Sequence, residues 1–232
     1  RIMMLDVIAN NNWKRPVYFT GGSFGDDDYL WMKDYLQLDG LVYKLVPVKT
    51  TIDREYSIEM GQIDTDKMYD LVSKWQWGNG DKTTIYHDPE TRKNSISYRT
   101  NMSRLANQLI KESKKEKAKI IIDQALSKMP IDYYGYYTMV EPFAAAYYKV
   151  GDKTKAREVL EKLMTKYKQS LTYFSGIQPS IQNGIARDII TDIERYRSLL
   201  TVMKESGDVQ FHNKNRPAFN TYIKMFERFG RE

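Results

Sequence analysis

The chain has 232 residues, 36 Lys+Arg against 30 Asp+Glu, no cysteine and 41% hydrophobic residues. That length suits one large domain or two small ones, and the apolar content belongs to a globular chain rather than a disordered one. The lack of cysteine excludes disulfides, thiolate metal centres and a cysteine nucleophile, and the longest uncharged apolar run, Phe143 to Tyr148, is far shorter than the roughly 20 residues of a spanning helix. The chain begins at Arg1 with no signal peptide or initiator methionine, which leads us to expect a piece of something longer. Charge is uneven. Residues 1–98 hold 12 basic and 15 acidic side chains, a net −3, and residues 99–232 hold 24 and 15, a net +9. In the densest run, Lys111 to Lys119, lysines alternate with glutamates, the pattern of a solvated helical face. A nucleic-acid surface would cluster its cations with interleaved aromatics, so no nucleic-acid partner is expected, whereas contact with an anionic membrane surface fits the charge better.

In chain order, Ile2, Leu5, Ile8 and Ala9 have the spacing of a short amphipathic helix, ended by Asn10, Asn11 and Asn12. Residues 15–20 (Arg15 to Thr20) are β-branched and aromatic, with Pro16 where a strand start tolerates it, and Gly21-Gly22 closes the run. Asp26, Asp27 and Asp28 cap an expected helix over 29–36. Residues 41–48 read as a second strand opened by Asp39-Gly40, and 54–59 as a weaker third. Asp64-Thr65-Asp66 starts a helix through about Trp75, which Trp77 to Gly80 ends.

From residue 98 the pattern repeats at a 38-residue offset, with Ala118 in register with Ala156. Leu105, Ala106 and Leu109 line one helix and Ala118, Ile122 and Ala125 its partner; Phe143, Ala144 and Tyr147, then Ala156, Leu160 and Leu163, repeat the arrangement. Small residues at these places suit helix pairs of the tetratricopeptide kind, with Gly151 at the second turn and Ser113 at the first. Helices over 181–205 and 216–229, with Gly207 and Pro217 between them, form a further pair or a cap. Pro142 marks a helix start or a kink. The expected fold class is therefore α+β and mainly helical: a small mixed α/β segment over 1–97, then tetratricopeptide-like antiparallel helix pairs over 98–232.

Gly21-Gly22-Ser23-Phe24-Gly25 fits a nucleophile elbow, but a serine hydrolase also needs a positioned histidine, and only His87 and His212 exist. Three aspartates after Gly25 would moreover oppose an oxyanion. Asp26 to Asp28 can serve as hard-cation ligands or, more simply, as helix caps. No phosphate-cradling glycine motif occurs. No catalytic residue, cofactor or metal is assigned. The candidates for contact with a partner or glycan are two polar-aromatic sets. Asn12, Trp13, Arg15, Tyr35, Gln37 and Asp39 lie near strand edges, with a plain Arg15–Asp39 pairing as the alternative. Tyr133, Tyr136 and Tyr137 belong to a tyrosine cluster with Tyr134, Tyr147 and Tyr148, for which core packing is the competing reading.

Two stretches go further: Asn11-Asn12-Trp13-Lys14-Arg15-Pro16-Val17-Tyr18-Phe19, and the run from Lys33 through Tyr35-Leu36-Gln37-Leu38-Asp39-Gly40 to Pro47. With Lys74-Trp75-Gln76-Trp77-Gly78-Asn79 and the helices after it, they resemble the C-terminal part of the bacterial protein O-mannosyltransferase-like membrane glycosyltransferases, long catalogued only as a domain of unknown function. The resemblance implies a soluble segment following the last membrane helix, on the periplasmic face of a bacterial inner membrane. It implies that this piece is not itself an enzyme, that the parent uses a lipid-linked sugar, and that the presumed catalytic carboxylate lies in the membrane portion. The partners implied are the membrane-spanning part of the same polypeptide and an acceptor protein or glycan. The alternative expectation is a protein-binding helical scaffold unconnected with sugar transfer.

Overall fold

In the computed structural model the described residues are 2–20, 29–50 and 60–229. The glycine-rich 21–25 motif, Asp26 to Asp28 and the expected strand over 54–59 lie outside them. Of the described residues 70% are helical, and they include one three-stranded antiparallel sheet near the start of the chain, a mainly helical α+β fold. It divides into two compact units, Arg1–Tyr134 and Gly135–Glu232. The boundary therefore falls after the first helix pair rather than at the expected 97/98.

In the first unit, α1 (Ile2–Asn11) is followed by β1 (Tyr18–Thr20), a 3₁₀ helix over Leu30–Tyr35, β2 (Leu36–Asp39) and β3 (Val42–Leu45). The strands lie in the order β1-β3-β2. The expected helix over 29–36 is shorter and tighter, and an unexpected strand follows it at Leu36–Asp39, where Leu36 and Leu38 alternate as buried residues with half-buried Gln37 and Asp39. Tyr29, Met32, Leu36 and Leu45 form a small core, and Met4, Ile8, Phe19, Tyr43 and Met60 pack against it. Phe19 stacks on Tyr29 at 4.8 Å between ring centroids.

Next come α2 (Thr65–Ser73), α3 (Pro89–Lys93), α4 (Ser95–Lys111), α5 (Lys115–Lys128) and α6 (Ile131–Tyr134). The Asp64 carboxylate caps α2 by accepting the Lys67 N–H. Ser113 turns between α4 and α5 with φ of 61°, the left-handed conformation that Gly151 supplies at the corresponding place with φ of 90°. Two lysines of the alternating run are tied down: Lys114 and Lys117 both reach Asp66, at 3.1 and 3.0 Å, and Thr65 donates to Glu112 at 2.6 Å. Arg99 is fully buried, donates to the Met129 carbonyl at 2.9 Å and lies over the Tyr134 ring.

The second unit contains α7 (Glu141–Val150), α8 (Lys153–Ser175), α9 (Pro179–Gly184), α10 (Ala186–Glu205) and α11 (Val209–Met225). Pro142 sits in the first turn of α7, so it marks a start and makes no kink. Pro217 lies inside α11 rather than between helices; the turn before that helix is made by Gly207, with φ of 72°. The repeated small and apolar positions Phe143, Ala144, Tyr147, Ala156, Leu160 and Leu163 are all buried, as are their counterparts at the 38-residue offset in the first unit.

Two buried carboxylates shape the second unit in opposite ways. Asp208, just before α11, accepts both Arg157 Nε and Nη2 at 2.7 Å, the Tyr148 hydroxyl at 2.9 Å and Lys153 at 3.0 Å. The Arg157 guanidinium foremost, helped by the other two donors, holds its carboxyl well below the usual range. Glu141 starts α7 and accepts the Tyr167 hydroxyl at 3.0 Å, yet burial pushes its carboxyl up. The signs therefore differ. The stabilisation from Asp208 is complete above the ordinary 3.8 and fades as pH falls towards the depressed folded value. Glu141 binds its proton more tightly folded than unfolded, so its contribution is full below about 4.5 and is lost as pH rises through the raised folded value. Urea unfolding should show Asp208→Asn losing about 2–3 kcal/mol at neutral pH, with the deficit shrinking in acid. Glu141→Gln, which keeps an acceptor for Tyr167 and removes the charge, should unfold at higher urea than the parent at neutral pH, with the gain vanishing near pH 4.

Candidate functional site

The three strands have two unlike faces. Phe19, Leu36, Leu38, Tyr43 and Leu45 turn to the core, so their neighbours in each strand turn the other way. On this outer face Tyr18, Lys44 and Gln37 stand opposite one another across all three strands, and Thr20, Val42 and Asp39 make a second row. None of the six is buried. An antiparallel sheet can leave one face to solvent in this way.

The outer face is organised locally. Gln37 Nε2 donates to Asp39 Oδ1 at 2.7 Å, which orients the carboxamide and leaves acceptor capacity on both side chains. Lys67, ion-paired with Asp64 at 2.9 Å, also feels the Asp39 charge. Tyr18 is half exposed, and Lys44 stands between it and Gln37. Behind this face the free edge of β2 is closed by a single parallel bridge: Leu38 N–H donates to the Gln62 carbonyl and Gln62 N–H to the Leu36 carbonyl. The Arg104 guanidinium then donates to the carbonyls of Met60 and Gly61 at 2.7 and 2.9 Å, joining that edge to α4. Gly61 is required there. Its φ is +78°, and a Cβ would stand 2.9 Å from the Tyr43 ring and 3.0 Å from the Leu38 nitrogen.

The residues singled out in the sequence separate into distinct places. Gln37 and Asp39 share the outer face. Asn12 and Trp13 occupy the turn after α1 with φ of 46° and 57°; the Asn11 carboxamide closes that turn, donating to the Arg15 carbonyl at 2.6 Å and accepting the Arg15 N–H at 3.2 Å. The side chain of Arg15 is exposed, and among the described residues no ion pair joins it to Asp39. Tyr35 is exposed at the start of β2, where its carbonyl accepts the Val46 N–H at 2.9 Å. Tyr133 belongs to the first unit: its hydroxyl donates to the Ile85 carbonyl at 2.6 Å and meets the His87 N–H and ring. Tyr136 and Tyr137 belong to the second, where Tyr136 is exposed with φ of 46° and precedes a short 3₁₀ helix, Tyr137–Met139. Tyr134, Tyr147 and Tyr148 are packing residues: Tyr134 is buried and donates to the Gly80 carbonyl, Tyr147 is buried, and Tyr148 serves Asp208.

Tyr18, Thr20 and Lys44 were missed. The signal was strand alternation, which places Tyr18 opposite Phe19's side of the sheet, but it needs the register of all three strands to bring Lys44 and Gln37 beside it. Together the outer face offers an aromatic ring, a carboxylate, a carboxamide, an ammonium and a hydroxyl at half-exposed positions. Such groups offer hydrogen-bond donors and acceptors beside a flat ring. Among the described residues no three carboxylates or histidines gather as metal ligands.

Comparison with known proteins locates the likeness on this same part of the chain. A family model, TMEM260-associated domain 2, matches residues 1–67, which include α1, the whole sheet and the start of α2. No curated protein and no solved structure matches the chain.

The geometry separates support from surface. Gly61→Ala should cost about 1–3 kcal/mol in chemical unfolding, because it strains the left-handed backbone against Tyr43 and Leu38. Asp39→Asn, on the open face, should stay within about 0.5 kcal/mol of the parent in the same measurement.

Proposed function

We propose that this chain is a non-catalytic domain of a membrane-bound protein glycosyltransferase, and that the outer face of its sheet positions the acceptor protein or its glycan. The match of residues 1–67 to a TMEM260-associated domain carries the reading, since it falls on the part of the chain that bears this face. The resemblance to protein O-mannosyltransferase-like membrane proteins in the Asn11–Phe19 and Lys33–Pro47 stretches supports the same assignment, and from it comes the placement on the periplasmic side of a bacterial inner membrane.

In this reading the transfer itself belongs to the membrane portion, which moves a sugar from a lipid-phosphate donor to an acceptor hydroxyl with a carboxylate as base. The soluble domain contributes orientation. A held acceptor presents its hydroxyl at high effective concentration, so losing the contact raises KM before it touches the chemical step. Tyr18 supplies a flat apolar surface, Gln37 and Asp39 a fixed donor–acceptor pair, and Lys44 a cation between them.

The test is glycan transfer by the full-length protein. Removing residues 1–232 should abolish transfer to protein acceptors, and Gln37→Ala with Asp39→Ala should raise KM for the acceptor several-fold with kcat little changed. Undiminished glycosylation after the deletion would sink the proposal.

A further inference from the structure

The first unit carries an apolar surface that its own fold does not use. Helix α1 has no buried residue. Met4 and Ile8, four apart, lean on the small core, whereas Ile2 and Met3 are 84% and 82% exposed and Leu5 and Val7 more than half exposed. Asp6, the only charged residue on the helix, is satisfied by Asn10, whose Nδ2 donates to its carboxylate at 2.9 Å. Two exposed tryptophans belong to the same unit: Trp13 in the turn after α1, and Trp31 in the 3₁₀ helix whose Met32 packs into the core beside α1. Four exposed apolar side chains on one short helix, with two exposed tryptophans in the same unit, exceed ordinary surface scatter and point to an interaction surface.

The charges beside them indicate what that surface meets. Lys14 and Arg15 follow Trp13 directly, and Lys33 lies two residues beyond Trp31; none of the three has an acidic partner among the described residues, whereas Lys49 nearby is paired with Asp34. Aliphatic side chains, tryptophan rings and exposed cations are the three components of a bilayer interface: chains enter the acyl boundary, indoles sit at headgroup depth, and cations face phosphate. No described helix is long and apolar enough to cross a membrane, and α1, at 10 residues, reaches about half the hydrocarbon thickness. We infer that α1 and the two tryptophan-bearing turns form a lipid-contact surface that lies on a membrane rich in anionic phospholipid, with Ile2, Met3, Val7, Trp13 and Trp31 in the interface and Lys14, Arg15 and Lys33 on the phosphates. This inference goes beyond the acceptor-positioning role and does not depend on sugar transfer.

The experiment is flotation of the 232-residue protein with vesicles of phosphatidylethanolamine containing about one-third phosphatidylglycerol, beside vesicles of phosphatidylcholine alone. The protein should float with the anionic vesicles, with a blue shift of tryptophan emission, and bind phosphatidylcholine much more weakly. Met3→Ser with Val7→Ser should weaken binding at least about tenfold, and Lys14→Gln with Arg15→Gln should remove its salt dependence. All four positions are exposed, and unchanged circular dichroism identifies variants that remain folded. Three results would overturn the inference: no flotation with either vesicle, flotation that the serine variant leaves intact, or lipid-free self-association that the serine variant abolishes, which would assign the surface to a second copy of the chain.

Discussion

A sheet of three short strands buries too little to stand alone, and here one arginine ties its open edge to the helices. Arg104, on α4, donates to two consecutive carbonyls, those of Met60 and Gly61, immediately before Gln62 closes the open edge of β2. The guanidinium thus satisfies backbone acceptors beside the sheet edge that would otherwise be left to water. Gly61 makes the approach feasible, since any larger residue would collide with Tyr43 and the Leu38 nitrogen. With one face pressed on the core and one edge pinned to α4, the remaining face is the part of the sheet left open. Asn101 adds to the same joint by donating to the Gly40 carbonyl, where Gly40 itself packs under the Trp75 ring.

The two units use their buried polar groups differently. In the first, cations bind backbone carbonyls: fully buried Arg99 the end of α5 and half-buried Arg104 the sheet edge. In the second, buried carboxylates gather donors from several helices: Asp208 joins α7, α8 and the start of α11, and Glu141 meets Tyr167 across α7 and α8. Asp208 is matched by a bidentate guanidinium and favours folding at neutral pH. Glu141 is met by a neutral hydroxyl and carries a desolvation cost that its position in the packed pair explains. The second unit therefore combines one acid-sensitive contact with one that acid relieves.

Much of the helical part was legible because close helix contacts impose small residues at fixed intervals. Ala106, Ala118, Ala144 and Ala156 announce themselves in the sequence and are all fully buried. The turns were legible for the same kind of reason, even where serine replaced glycine at 113. Pro217 was misread because proline punctuates so often that its tolerance inside α11 has no local signal. The sheet was harder. Leu36-Gln37-Leu38-Asp39 carries a period of two over only four residues, and the aromatic run before it suggested that a helix continued. Gln37 and Asp39 could be chosen from their chemistry alone. Tyr18 could not, because it joins this row only through Lys44, on a strand more than twenty residues away, and Lys44 stands beside Gln37 only once the β2–β3 hairpin sets its register. The exposed apolar side of α1 was hidden for a related reason: a sequence shows that a helix is amphipathic, but not that the core accepts only Met4 and Ile8.

The account rests on the outer sheet face meeting an acceptor, and site-specific photo-crosslinking in the full-length protein addresses that contact directly. A photoreactive residue at Gln37 or Tyr18 should capture the glycosylated acceptor in a light-dependent adduct, while the same probe at Tyr173, exposed on α8, should not. Equal capture at all three positions, or capture at Tyr173 alone, would contradict the assignment of acceptor binding to the sheet.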